Sequence, residues 1–158
     1  MNRDERGHWM IENANARQRV WRERVEKKKP VLAVDFDGTL VHNGFPDISK
    51  AKVDGDMVDF IKLAKDLGWN VFIYSARTNL VINDSEEYFW DMVEFLIDHK
   101  IYFDYVEIGR GGKPFWDLLI DDRGCSPETV KKFIHNKDKV SQFLENKFEN
   151  SNNGWRSR

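Results

Sequence analysis

The sequence predicts an α/β fold: a doubly wound parallel sheet with an added N-terminal helix. Three observations carry this expectation. Short apolar, β-branched runs alternate with amphipathic helical stretches across residues 31 to 135, the pattern of strands buried on both faces and joined by crossover helices. Each strand-like run ends on polar or glycine residues, as the ligand-binding edge of such a sheet requires. The chain of 158 residues, 41% of them apolar and 13% aromatic, suits one domain with a core of its own.

Composition narrows the class. The one cysteine, Cys125, excludes an internal disulfide framework. No basic start, apolar core and small-residue cleavage site follow one another as in a signal peptide, and no apolar run approaches the roughly 20 residues that cross a bilayer. A cytoplasmic protein without membrane contact is expected. The net charge of -2 conceals a segregation: residues 1–29 hold nine Lys or Arg against five acids, residues 131–158 seven against three, and the middle nine against nineteen. An acidic middle attracts cations, and basic ends suit phosphate polymers or plain solvation.

From Arg3 to Lys29 the apolar positions Trp9, Met10, Ala14, Ala16, Val20, Trp21 and Val25 recur at roughly helical spacing. This basic amphipathic helix, residues 1–29, should end where Pro30 follows three lysines. "VLAVDF" is the first strand. Residues 41–53, with Asn43-Gly44 and Pro46, read as a loop. Asp54 to Leu67 is an amphipathic helix with Gly68 at its C-cap. "WNVFIYS" is the second strand, and a helix from about Asp84, capped by Asp84 or Ser85, runs to Lys100. "YVEIG" is the third strand, "GRGGKP" a turn, and "DLLID" the fourth strand. "SPET" starts a helix with Pro127 in its first turn, and another spans Asp138 to about Phe148. The catalytic domain is thus 30–148, and residues 149–158 look disordered.

The strand ends should meet at one edge. The first ends on Asp35-Phe36-Asp37-Gly38-Thr39, the second on Ser75-Ala76-Arg77, and the fourth on Asp121-Asp122, with Lys113 just before it. Carboxylates crowded on one rim repel each other and invite a hard dication, for which Mg2+ is the first expectation, since it takes oxygen ligands and binds substrate phosphate. A carboxylate can attack phosphorus. The Ser75 hydroxyl and Lys113 ammonium suit the equatorial oxygens of a transferring phosphoryl group. Gly38 permits close approach of the backbone to a phosphate. Arg77 could grip a second phosphate or a carboxylate of the substrate, or form an ion pair with a nearby acid.

Four ordered motifs, "DFDGT" after an apolar strand, "VFIYS", the lysine of "GKP" and "LLIDD", resemble the haloacid dehalogenase superfamily of phosphohydrolases over residues 31 to about 125, and its small capless phage and bacterial members in particular. The resemblance implies a nucleophile at Asp35, which forms an aspartyl phosphate, and a general acid and base at Asp37. It implies that Thr39 orients Asp37 and that Ser75 and Lys113 position phosphate and nucleophile. Magnesium would be held by the Asp35 side chain, the Asp37 carbonyl and the pair Asp121 and Asp122. Alternation lets only one of that pair face the metal squarely, with Asp122 favoured and the choice open. With 40 positions from Asp35 to Ser75 and 38 from Ser75 to Lys113, each already holding one helix and its loops, no cap domain fits.

A receiver domain shares the sheet, an Asp, a hydroxyl residue and a Lys, but its acidic pair comes first, whereas here it comes last. A "DxD" glycosyltransferase lacks the length for a nucleotide-sugar domain. The expected function is therefore Mg2+-dependent hydrolysis of a phosphomonoester. The substrate is a small phosphorylated molecule, whose open site a second copy would cover, or a nucleotide or nucleic-acid end approached by Arg17, Arg19, Arg22 and Arg24. A non-catalytic interaction module keeping the fold is the alternative from another class. His42 and Cys125 read as a solvated histidine and an inert thiol.

Overall fold

The structure is a computed structural model that describes residues 1–79, 85–109, 114–121 and 124–156, with side chains up to 152. Helix α1 spans Arg3–Lys27. A capping box holds its start, with the Asn2 side chain accepting from the Glu5 N–H, and Lys28 ends it in the left-handed region at φ 52°. Strand β1, Val31–Asp35, follows at once.

The segment predicted as a loop instead contains an antiparallel pair, β2 (Val41–His42) and β3 (Lys52–Val53), around a short 3-10 turn at Ile48–Lys50. Its strands are only two residues each, too short to show a period in the sequence. Helix α2, Gly55–Asp66, starts on an Asp54 cap, and Gly68, at φ 92°, turns the chain out of it. Strand β4 is Asn70–Tyr74 and helix α3 is Glu87–Asp98. The N-cap of α3 is Glu86, without a side-chain cap bond, and Ser85, one of the two expected caps, stands one residue ahead and accepts from the Glu87 N–H; Asp84, the other, lies outside the described residues. Strands β5 (Tyr105–Val106) and β6 (Leu118–Ile120) complete the sheet, and helices α4 (Pro127–Lys131) and α5 (Lys137–Arg156) follow.

The four-stranded sheet has the order β5-β4-β1-β6, all pairs parallel. β1 is central and fully buried over Val31–Val34, which is why its sequence is an unbroken apolar run. Alternation sorts the strands onto two faces. Leu32, Val34, Val71, Ile73 and Ile120 join the side chains of α2, α3, α4 and α5 in the larger core, whereas Val31, Ala33, Phe72 and Tyr105 join Val20 of α1 in a smaller one. Between the third and fourth strands, where a turn was expected, the described residues of the connection hold no helix. The second face is covered by α1 instead.

Two polar devices fasten α1. The Asn13 side chain, buried, donates to the Val106 carbonyl at 2.9 Å and accepts from the Val106 N–H at 2.7 Å, satisfying the free edge of β5. Arg24, 3% exposed, forms a fork on Asp117 at 3.0 and 2.9 Å. Asp117 also accepts from the Val31 N–H at 2.8 Å and from the Ser151 hydroxyl at 2.6 Å. The last contact corrects the expectation of a disordered tail: α5 runs through residues 149–156. Its polar composition hid a helix held at one end by buried Val140 and Leu144 and further along by Ser151.

Among the described residues no helix is long and apolar enough to cross a membrane.

Candidate active site

The sheet order puts the end of β1 between the ends of β4 and β6. Asp35 is the register partner of Tyr74, so Ser75 is the next residue beyond it, and Val34 partners Ile120, so Asp121 comes level with Asp35. Asp35, Ser75 and Asp121 therefore share the carboxyl edge, where α/β sheets bind ligands. Immediately after β1 the chain turns back on itself. The N–H groups of Leu40 and Val41 donate to the Phe36 carbonyl at 3.1 and 3.0 Å, the Gly38 N–H donates to the Val41 carbonyl at 2.8 Å, and Gly38 takes φ 80°, open to glycine at little cost. Phe36 is fully buried, its ring edge-on to Phe95 at 6.0 Å. Asp37 takes the opposite course and keeps its side chain 33% exposed.

Of the two roles expected of Arg77, a grip on substrate and an ion pair with a nearby acid, the structure shows the ion pair: the residue is 1% exposed and its guanidinium is engaged within the protein. Nε and Nη2 donate to the two carboxylate oxygens of Asp37 at 2.7 and 2.9 Å, Nη2 also to the Gly44 carbonyl at 2.8 Å, and Nη1 to the Tyr88 carbonyl at 3.0 Å. The guanidinium lies 5.3 Å from the ring centres of both Phe36 and Phe45. A planar fork is what this geometry requires, and an ammonium would not supply it. Gly44 fits because a Cβ there would stand 2.9 Å from that of Ala51.

Thr39 departs from its expected role. It is fully buried and its hydroxyl has no partner, so Asp37 is oriented by Arg77 and not by Thr39. The turn that exposes Asp37 carries Thr39 inward. Ser75 is 5% exposed and opens a 3-10 turn, its Oγ accepting from the Arg77 N–H at 3.1 Å. That bond leaves the hydroxyl proton for an acceptor at the sheet edge.

Asp121 accepts from the Gly124 N–H and so closes the turn after β6. Lys113, Asp122 and Arg123 lie outside the described residues. Among the described residues no three His, Cys, Asp or Glu side chains gather around a point where a metal could sit. Of the expected ligands, Asp35 and Asp121 share the edge, and the Asp37 carboxylate is turned to Arg77.

Of the four arginines expected to approach a nucleic-acid end, three are paired: Arg17 with Glu107 at 2.9 Å, Arg19 with Asp104 and, within the helix, Glu23 at 2.8 Å each, and Arg24 with Asp117. The pairs with Glu107, Asp104 and Asp117 bind the helix to the domain, and Arg22, the fourth, is exposed. A third group escaped the sequence reading. Asp54 takes His42 Nε2 at 2.9 Å and Lys131 Nζ at 2.6 Å while capping α2 through Met57. Burial would raise its pKa, but the hydrogen bonds from Lys131, His42 and Met57 outweigh it and hold the carboxyl below the ordinary value. No spacing rule links residues 42, 54 and 131. The partners of Arg77, Gly44 and Tyr88, were equally invisible, since a carbonyl can belong to any residue.

No family model matches the chain, and no curated protein matches it. Among solved structures it is similar to a structural-genomics target from Vibrio cholerae, whose title names no function: 24% identity, a TM-score of 0.51, and coverage of 77% of this chain and 98% of that one. The likeness is one of fold and agrees with a Rossmann-like α/β arrangement.

Proposed function

We propose that the protein is a capless phosphatase of haloacid dehalogenase type that hydrolyses a phosphomonoester, with Mg2+, through an aspartyl phosphate on Asp35. The observation that supports this best is the sheet order. The strand carrying "DFDGT" is central, and its two neighbours end on Ser75 and Asp121.

In this reading an Asp35 carboxylate oxygen attacks phosphorus while the bond from phosphorus to the leaving oxygen breaks. Protonated Asp37 gives its proton to that oxygen. The resulting Asp37 carboxylate then takes a proton from water, the hydroxide attacks the same phosphorus, and phosphate departs as Asp35 is restored. The Ser75 hydroxyl and the Lys113 ammonium donate to phosphoryl oxygens. Arg77 holds Asp37 in place for both proton transfers.

Mg2+ would be held by the Asp35 side chain, the Asp37 carbonyl and a carboxylate of the 121–122 pair. The donor set fits in kind: all are hard oxygens, and two carboxylates with a carbonyl leave room for the waters Mg2+ retains. When bound, the ion neutralises charge on the phosphoryl group. With no cap domain, the substrate itself or a second copy of the chain would close the site.

The test is Mg2+-dependent release of p-nitrophenol from p-nitrophenyl phosphate. Asp35→Asn should reduce it to the uncatalysed level without unfolding the protein; turnover that survives in Asp35→Asn overturns the assignment.

A further inference from the structure

The leaving-group side of this edge is marked by an aromatic side chain that the reaction does not use. Phe45 is 52% exposed, unusual for a residue already in contact with two groups. One is the Tyr88 ring, 4.9 Å away and tilted by 48°; the other is the Arg77 guanidinium, 5.3 Å from its centre. Arg77 in turn forks onto Asp37. Phe45, Arg77 and Asp37 thus form a contiguous row that ends at the group proposed to protonate the leaving oxygen.

We infer that Phe45, backed by Tyr88 and Arg77, is a leaving-group subsite that stacks a nucleobase, so that the substrates are phosphorylated nucleosides. This rests on the phosphatase reading above. An aromatic face braced from behind and open in front is the stacking platform that bases occupy irrespective of their hydrogen-bonding edge. The charge beneath it polarises the stack favourably, since the Arg77 cation lies over the ring. An aromatic platform suits a leaving group that carries a flat ring, as a nucleoside does. The paired arginines of α1 leave the choice of a free nucleotide over a long nucleic acid to the size of the platform, which is one ring wide.

The subsite can be examined without turnover. Titration calorimetry on Asp35→Asn with Mg2+ would compare adenosine monophosphate, ribose 5-phosphate and a terminally phosphorylated dinucleotide. Adenosine monophosphate should bind about tenfold more tightly than ribose phosphate, the worth of one stacked base. That ratio should fall to about one in Phe45→Ala and return in Phe45→Trp, with folding checked by circular dichroism. Dinucleotide binding tighter than that of the mononucleotide would identify a chain end as the source of the base. Equal binding of adenosine monophosphate and ribose phosphate, or a ratio unmoved in Phe45→Ala, overturns the subsite even if phosphatase activity is present. Base-selective binding with no Asp35-dependent hydrolysis of any phosphate would leave the subsite standing and overturn the phosphatase reading instead.

Discussion

Arg77 holds both carboxylate oxygens of Asp37, at 2.7 and 2.9 Å, from a position 1% exposed to solvent. The pair joins the turn after β1 to the turn after β4, and through the Gly44 and Tyr88 carbonyls it also reaches the hairpin and α3. In the proposed reaction a carboxylate that loses and regains a proton in place would thereby be confined to one orientation. Arg77→Lys keeps the charge and loses the fork. In the p-nitrophenyl phosphate assay it should lower kcat by about 10- to 100-fold, the usual result of displacing a reacting group by about 1 Å. KM should change little. A rise in KM alone would return Arg77 to a substrate-binding role.

Arg24 and Asp117 are buried and paired, with side chains 3% and 0% exposed. Removing one partner strands the other, at a cost of about 3–5 kcal/mol. Arg24→Ala should therefore move the urea midpoint far down, while Arg22→Ala, at an exposed position, should stay within about 0.5 kcal/mol of the parent. Equal effects would mean that α1 is not anchored through Arg24.

Asn13→Ala removes the only side chain described as satisfying Val106 on the sheet edge. A penalty of about 1–3 kcal/mol is expected for each main-chain group left buried and unpaired. Amide exchange should quicken first at Val106, ahead of the central strand β1. Uniform quickening across the sheet would point to global destabilisation instead.

The Asp54 cluster carries a pH signature. Its carboxyl is held below its ordinary value of 3.8, so its contribution is present in full above that pH and is lost as pH falls through the lower, folded value. Lys131 is raised above 10.5, chiefly by its hydrogen bond to Asp54, so its share disappears as pH rises past the folded value. Asp54→Asn should lower stability at pH 7, and the difference from the parent should shrink below about pH 4 in an acid titration followed by circular dichroism. A gap that stays constant down to pH 2 would show that the carboxylate's charge is not what matters there.

What was legible in the sequence follows from physics that acts along the chain. "VLAVDF" and "WNVFIYS" lie deep in a parallel sheet and had to be continuously apolar, so both strands, the helices between them and the grouping of Asp35, Ser75 and Asp121 could be foreseen. What escaped depends on contacts across the fold. Arg77 stood between a grip on substrate and an ion pair because a strand-end arginine carries no sign of which acid it faces. Thr39 looked like an orienting hydroxyl until the turn at Gly38 carried it inward. The polar stretch after Phe148 read as disorder because Ser151 gains its place only through Asp117, 34 residues earlier. The hairpin at 41–53 was too brief to leave a period.

Asp117 also sets an order of events during synthesis. It gathers Arg24 from 93 residues upstream and Ser151 from 34 residues downstream, along with the first N–H of the central strand. A chain leaving the ribosome exposes α1 long before the carboxylate that anchors it, and α5 is made last of all. The first helix must therefore wait in water, with its arginines and Val20 solvated, until the chain has emerged past residue 104 and Asp104, Val106 and Glu107 offer its first partners. The anchor on Asp117 closes after these, and Ser151 joins it only when α5 has been made.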